Sequence, residues 1–113
     1  MITSYPNRDF QLWEYRVNHG SLLVRSPRSP SQEKNIDLIF VGVEYVGLPR
    51  HLRGVTLERG SSSDVVAATA ALGREVLGER VFVLISQDKR YLIVAAGHKI
   101  AENDGDIFDS PFA

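Results

Sequence analysis

From Leu38 to Val43 the chain carries no polar side chain on either set of alternate positions. Leu38, Phe40 and Gly42 point one way, and Ile39, Val41 and Val43 point the other. The stretch from Ile36 to Tyr45 is rich in β-branched and aromatic residues and free of proline, which predicts a strand. Val81–Ile85 and Leu92–Ala96 repeat the pattern on either side of Gln87-Asp88-Lys89-Arg90 and predict a hairpin. A strand that is apolar on both sides is normally covered on both sides. Only one helical pattern is available to do the covering. A 16-residue helix is about 24 Å long and shelters one face of a few strands. Each exposed Leu, Ile or Phe would forgo about 1.5–3 kcal/mol of burial, so a handful would rival a whole domain's stability of roughly 5–15 kcal/mol.

Three arrangements satisfy this constraint: a sheet that curls on itself, two packed layers, or pairing of the open face with a second copy. Strong curling is the first expectation, with corners at Gly20, Gly42, Gly47 and Gly97, and a homodimer is the second.

The remaining elements follow local chemistry. Residues 1–7 read as a lead-in broken by Pro6 and Asn7. Phe10–Val17 and Ser21–Ser26 form a hairpin around Asn18-His19-Gly20. Residues 26–34, with two Ser-Pro steps, read as a mobile surface loop. The long strand ends at Leu48-Pro49, and Gly54–Arg59 is a short alternating strand. Ser61 and Asp64 stand at capping-box spacing ahead of Val65, Thr69, Leu72 and Val76, predicting a helix over Ser62–Leu77 stopped by Gly78. Gly73 inside it costs about 1 kcal/mol relative to alanine. Residues 102–113 form an acidic, turn-rich tail, with Ile107, Phe108 and Phe112 expected to tack it onto the body. The expected fold is a single α+β domain over residues 1–113. It has about six mostly antiparallel, strongly curved (barrel-like) strands and one helix packed on the sheet, in the order ββββαββ.

Composition excludes more than it assigns. Hydrophobic residues make up 43% and charged residues 24%, which are globular values. The net charge of −1 offers no general attraction to nucleic acid or anionic membranes. It divides unevenly: seven Lys/Arg against five Asp/Glu in residues 1–56, and six against nine in residues 57–113. The absence of cysteine removes disulfides, thiolate nucleophiles and sulfur metal sites. No secretory signal is visible, and no apolar run approaches the roughly 20 residues of a membrane helix. A cytoplasmic protein is expected.

The sharpest cluster of candidate site residues is Arg50, His51 and Arg53, in a loop beside Gly54, with Arg25 from the first hairpin. Arginine suits bidentate capture of carboxylate or phosphate, so these four form a candidate anion- or partner-binding site. The simpler account is a solvated turn whose arginines pair with Glu44 and Glu58. Trp13 and Tyr15, placed on one face of the first strand with Arg16, Arg25 and Arg28 nearby, form a candidate interaction surface. They also resemble base-stacking sheets, although the net charge disfavours nucleic acid.

His19, His51 and His98 show no metal-ligand spacing, and Asn103-Asp104-Gly105-Asp106 lacks the closing glutamate of a calcium loop. Neither a metal nor a cofactor is expected. Glu44, Tyr45 and His51 are the best acid–base grouping, but no catalytic motif accompanies them.

The leading functional reading is a small non-enzymatic binding or regulatory module that acts through protein contacts or self-association. The alternative is a small enzyme or anion-binding protein using the Arg50–Arg53 loop. Single-stranded RNA binding is the third and weaker reading.

Overall fold

The computed structural model describes residues 1–112. Strand β1 (Thr3–Arg16) turns into β2 (Ser21–Ser26), followed by β3 (Asn35–Val41), β4 (Tyr45–Val46) and β5 (His51–Arg59). Helix α1 (Ser62–Leu72) and a short 3₁₀ turn at Gly78–Arg80 lead to β6 (Val81–Ser86), β7 (Lys89–Val94) and β8 (Gly97–Asn103). The strands form one antiparallel sheet in the order β4-β7-β6-β5-β1-β2-β3-β8. With one α-helix among the described residues, the architecture is α+β.

The connections fold this sheet back on itself. Strands β3 and β4 stand six places apart in the order, about 29 Å in a flat sheet. From Val41 to Tyr45 the chain can reach only about 14 Å. Strands β7 and β8 are also six places apart, joined by Ala95 and Ala96 alone. Both links require the ends of the sheet to approach each other. The interior confirms it: the rings of Phe40 on β3 and Phe82 on β6 lie edge to face with centroids 5.7 Å apart. Phe10, Leu22, Leu38, Leu57 and Leu84 complete that buried core. A closed barrel is not formed, however. Strands β4 and β8 remain edges, with no ladder between them.

Several local expectations need correction. The expected single strand Ile36–Tyr45 is two strands, parted at Gly42. Its φ of +61° is a region that side chains disfavour, and a Cβ there would stand 2.7 Å from that of Ala96. The lead-in is strand, because Thr3, Ser4 and Tyr5 pair with Leu57, Thr56 and Val55. The loop expected at Pro49–Gly54 is strand from His51 onward, paired with Asp9–Gln11. Helix α1 ends five residues early. Gly73, which looked like an interior cost, is its left-handed cap, with φ +72° and its N–H donated to Thr69 O. The capping box of Ser61 and Asp64 is present as expected. Strand β8 had no place among the six expected, and the count rises to eight.

The outer surface of the sheet has two covers. Helix α1 and the segment after it lie over β6 and β7, where Ala68 of the helix and Val76 beyond its cap meet Val81 and Val94. Residues 104–112 lie over the outer face of β2, β3 and the C-terminal half of β1, held by hydrogen bonds from Arg28, Asn35, Arg25 and Arg16. The apolar demand read from the sequence is thus met within one chain.

Candidate functional site

Between the helix and the tail a strip of the outer face is left open. Phe10 and Leu52 point into the core, so alternation turns Asp9, Gln11, His51 and Arg53 outward. Asp9 stands directly opposite Arg53, and Gln11 opposite His51. These side chains line a cleft of about 340 Å³. A second cleft of about 300 Å³ shares Asp9 and Gln11 and runs to Ser26, Ser29 and Gln32 of the Ser-Pro loop. The first mixes charged, amide and imidazole groups with Phe10 and Leu52, and the second is lined mainly by hydroxyl, amide and charged groups.

Arg50 and Arg53 differ from every other arginine of the chain. Eight of the ten arginines donate a hydrogen bond or form an ion pair: Arg8 with Ser26, Arg16 with Glu14, Arg25 with Asp37, Arg28 with Asp104 O, Arg59 with Glu79 O, Arg74 and Arg80 with Glu44, and Arg90 with Asp64. Arg50 and Arg53 do neither among the described residues, and both are exposed. The pairing with Glu44 and Glu58 that would have made them an ordinary solvated turn is not formed. No family, curated protein or solved structure matches the chain. The arrangement of its own side chains therefore carries the functional argument.

Arg25 is far from free. It is 2% exposed, and its Nε and Nη2 donate to Asp37 Oδ1 and Oδ2 at 2.7 and 3.0 Å. Its Nη1 donates to Ile107 O at 2.8 Å and Asp109 O at 2.7 Å. The structure therefore groups Arg25 with the tail rather than with Arg50, His51 and Arg53. Trp13 and Tyr15 are also separated. A bulge between Leu12 and Glu14 shifts the alternation. Trp13 faces outward, its ring 5.7 Å from the Arg25 guanidinium carbon and 6.3 Å from the Phe108 ring. Tyr15, 43% exposed, joins Leu12, Leu22 and Val46 around an apolar cleft of about 200 Å³ at one mouth of the curled sheet. The shared aromatic face expected from strict alternation does not exist.

The acid–base grouping fares similarly. Glu44 is paired with Arg74, and with Arg80 at 3.6 Å, while His51 lines the strip. His98 packs on Phe82 at 5.1 Å, and burial, reinforced by nearby Arg59, holds its pKa below the ordinary value. Asn103 Oδ1 accepts from Asn35 Nδ2 and Gly105 N, so the residues considered for calcium build the turn into the tail. Among the described residues no three His, Asp or Glu side chains converge as metal ligands would. No helix is long and apolar enough to cross a membrane.

The sequence reading missed Asp9 and Gln11. Their signal was present in the alternation about Phe10, but the partner strand was read as a loop, so nothing placed them beside His51 and Arg53.

Proposed function

We propose that the protein is a small non-enzymatic binding module, cytoplasmic in setting, whose partner-binding strip is Arg50, His51 and Arg53 with Asp9 and Gln11. The observation that carries this reading is the selective lack of partners at Arg50 and Arg53. Every other guanidinium is engaged within the fold, while these two are exposed, Arg53 on the open part of the outer face and Arg50 at the position just before β5. A guanidinium offers a fork matched to a carboxylate. Asp9 beside it tempers the positive field and accepts from an N–H donor. The chemistry fits a polypeptide segment that brings a carboxylate to the arginines and backbone N–H groups to Asp9, supplied by another protein or a second copy.

The test is fluorescence anisotropy of a labelled peptide of alternating glutamate and glycine against the wild type and the double variant R50A/R53A. Binding about tenfold weaker in the variant, with unchanged thermal stability, is expected. Equal binding to both would remove the strip from consideration.

A second reading, a small-anion site, is favoured by the cleft at Asp9, Gln11, His51 and Arg53. Inorganic phosphate as competitor distinguishes the two. Displacement of the peptide at low millimolar phosphate supports the anion site, and indifference supports the module.

A further inference from the structure

The tail and the face beneath it are unequal partners. The centre of the face is sheltered, with Arg25 2% exposed, Asp37 1% and Leu23 completely buried, while Arg16 and Arg28 at its margins remain partly in solvent. The tail, residues 104–112, contains no buried residue, and Phe108 is 79% exposed even though its ring meets Trp13. The tail is held chiefly by its main chain. Arg28 donates to Asp104 O, Asn35 to Gly105 O, Arg25 to Ile107 O and Asp109 O, and Arg16 to Phe112 O. The one tail side chain that bonds to the face is Ser110, whose hydroxyl donates to Glu14. Main-chain carbonyls are common to every peptide, so these donors can hold any backbone that follows the same turned path, bent where Asp109 N donates to Asp106 O.

We infer that the face of β1, β2 and β3 under the tail is a peptide-docking surface, with the tail as its resident occupant. The partner it fits is a turn-forming acidic segment of another protein carrying an aromatic residue. The acidity follows from Asp104, Asp106 and Asp109 in the segment that now lies there and from Arg28, the arginine on the path that forms no ion pair among the described residues. Arg16 and Arg25, by contrast, are paired with Glu14 and Asp37. The aromatic follows from Trp13, whose ring presents a stacking platform beside a guanidinium. Tryptophan and arginine are the residues that most often dominate binding energy at protein interfaces. Displacement is feasible because the tail shelters little of its own surface, and an incoming segment can supply the same carbonyl acceptors to Arg25. The surface adjoins the Arg50–Arg53 strip where Gln11 stands opposite Arg25, but the inference does not depend on the role given to that strip.

The experiment is an NMR titration of the full chain with a synthetic peptide, Asp-Gly-Asp-Ile-Phe-Asp-Ser-Pro-Phe, which copies residues 104–112. It is repeated with I107A/F108A, which weakens the resident tail. Saturable shifts at the Trp13 indole and the Leu23 and Ile39 amides are expected, with affinity at least tenfold tighter for the variant. No saturable shift in either protein at millimolar peptide would overturn the inference. Appearance of a dimer with exchanged tails, without peptide binding, would replace the partner by a second copy and overturn it as well.

If I107A/F108A fails to fold, hydrogen exchange of the wild type decides. Exchange of the tail amides and the Trp13 indole at least 100-fold faster than Phe10 and Leu84 shows a cover that opens alone. Exchange of all of them at one common rate shows a tail that leaves only when the whole fold does, and the inference fails.

Discussion

Where α1 and the segment that follows it cross β6 and β7, Ala68 of the helix and Val76 just beyond it meet Val81 and Val94, and all four are buried. Where residues 104–112 cross β2 and β3, the contact is a buried Arg25–Asp37 pair capped by main-chain carbonyls, and the covering segment stays largely in solvent. Two covers on one sheet thus rest on different physics. The helix removes apolar surface from water, which scales with area and depends little on orientation. The tail satisfies a charge pair that would be costly to leave incomplete, which depends on a few bonds. Helix-side damage should therefore be graded, whereas tail-side damage should depend sharply on which group is lost.

The largest expected effect is from Arg25→Ala, which leaves Asp37 buried without its cation. Urea denaturation should show a loss of about 3–5 kcal/mol. Replacing the pair together, R25M/D37L, should be less damaging than R25A alone, and an equal or greater loss would mean that the tail's carbonyls matter more than the charge. Next is Val81→Ala under the helix, about 2 kcal/mol by the same measurement.

Asp64 gives the helix side a pH signature. Hydrogen bonds from Arg90 hold its pKa down to about 2 from the usual 3.8. A carboxyl depressed in the folded state stabilises above its unfolded pKa and loses that contribution as pH falls from about 3.8 toward 2. D64N should therefore lose about 1–2 kcal/mol at pH 7 and flatten the acid limb of the stability curve. A wild-type curve already flat from pH 4 to 2 would contradict the pairing.

Phe108→Ala should cost less than about 1 kcal/mol, since most of that ring is already wet. R50A/R53A should change stability by less than about 0.5 kcal/mol, and a larger change would show that these arginines belong to the fold.

What could be read from sequence follows the same division. The doubly apolar strands, the first and last hairpins and the capping box at Ser61 and Asp64 were legible because periodicity and capping are local. The demand for a second cover was legible too, since it follows from counting apolar faces. Its supplier was half legible: Ile107, Phe108 and Phe112 mark a tail able to tack onto the body, and Phe108 does meet Trp13, but the carbonyls that hold the segment leave no signal because every residue has one. The split at Gly42 was half legible: the glycine marked a bend, but only the pairing of Tyr45 with Val94 shows that the chain changes edges there. At the open strip, Arg50, His51 and Arg53 stood out by composition. Reading Pro49–Gly54 as a loop hid the neighbours Asp9 and Gln11, and the bulge at Leu12–Glu14 separated Trp13 from Tyr15 in a way that strict alternation could not foresee.

The position of β1 in the middle of the sheet has a consequence for biosynthesis. Strand β1 emerges from the ribosome well before β5, with which its N-terminal half pairs, so Thr3–Gln11 has no ladder on that side until His51–Arg59 has emerged. Such distant pairing slows folding and leaves a strand border open to other chains in the meantime. Asn7, Arg8 and Asp9, at the bulge where that border is interrupted, are placed to keep nascent copies apart while each waits for its own β5.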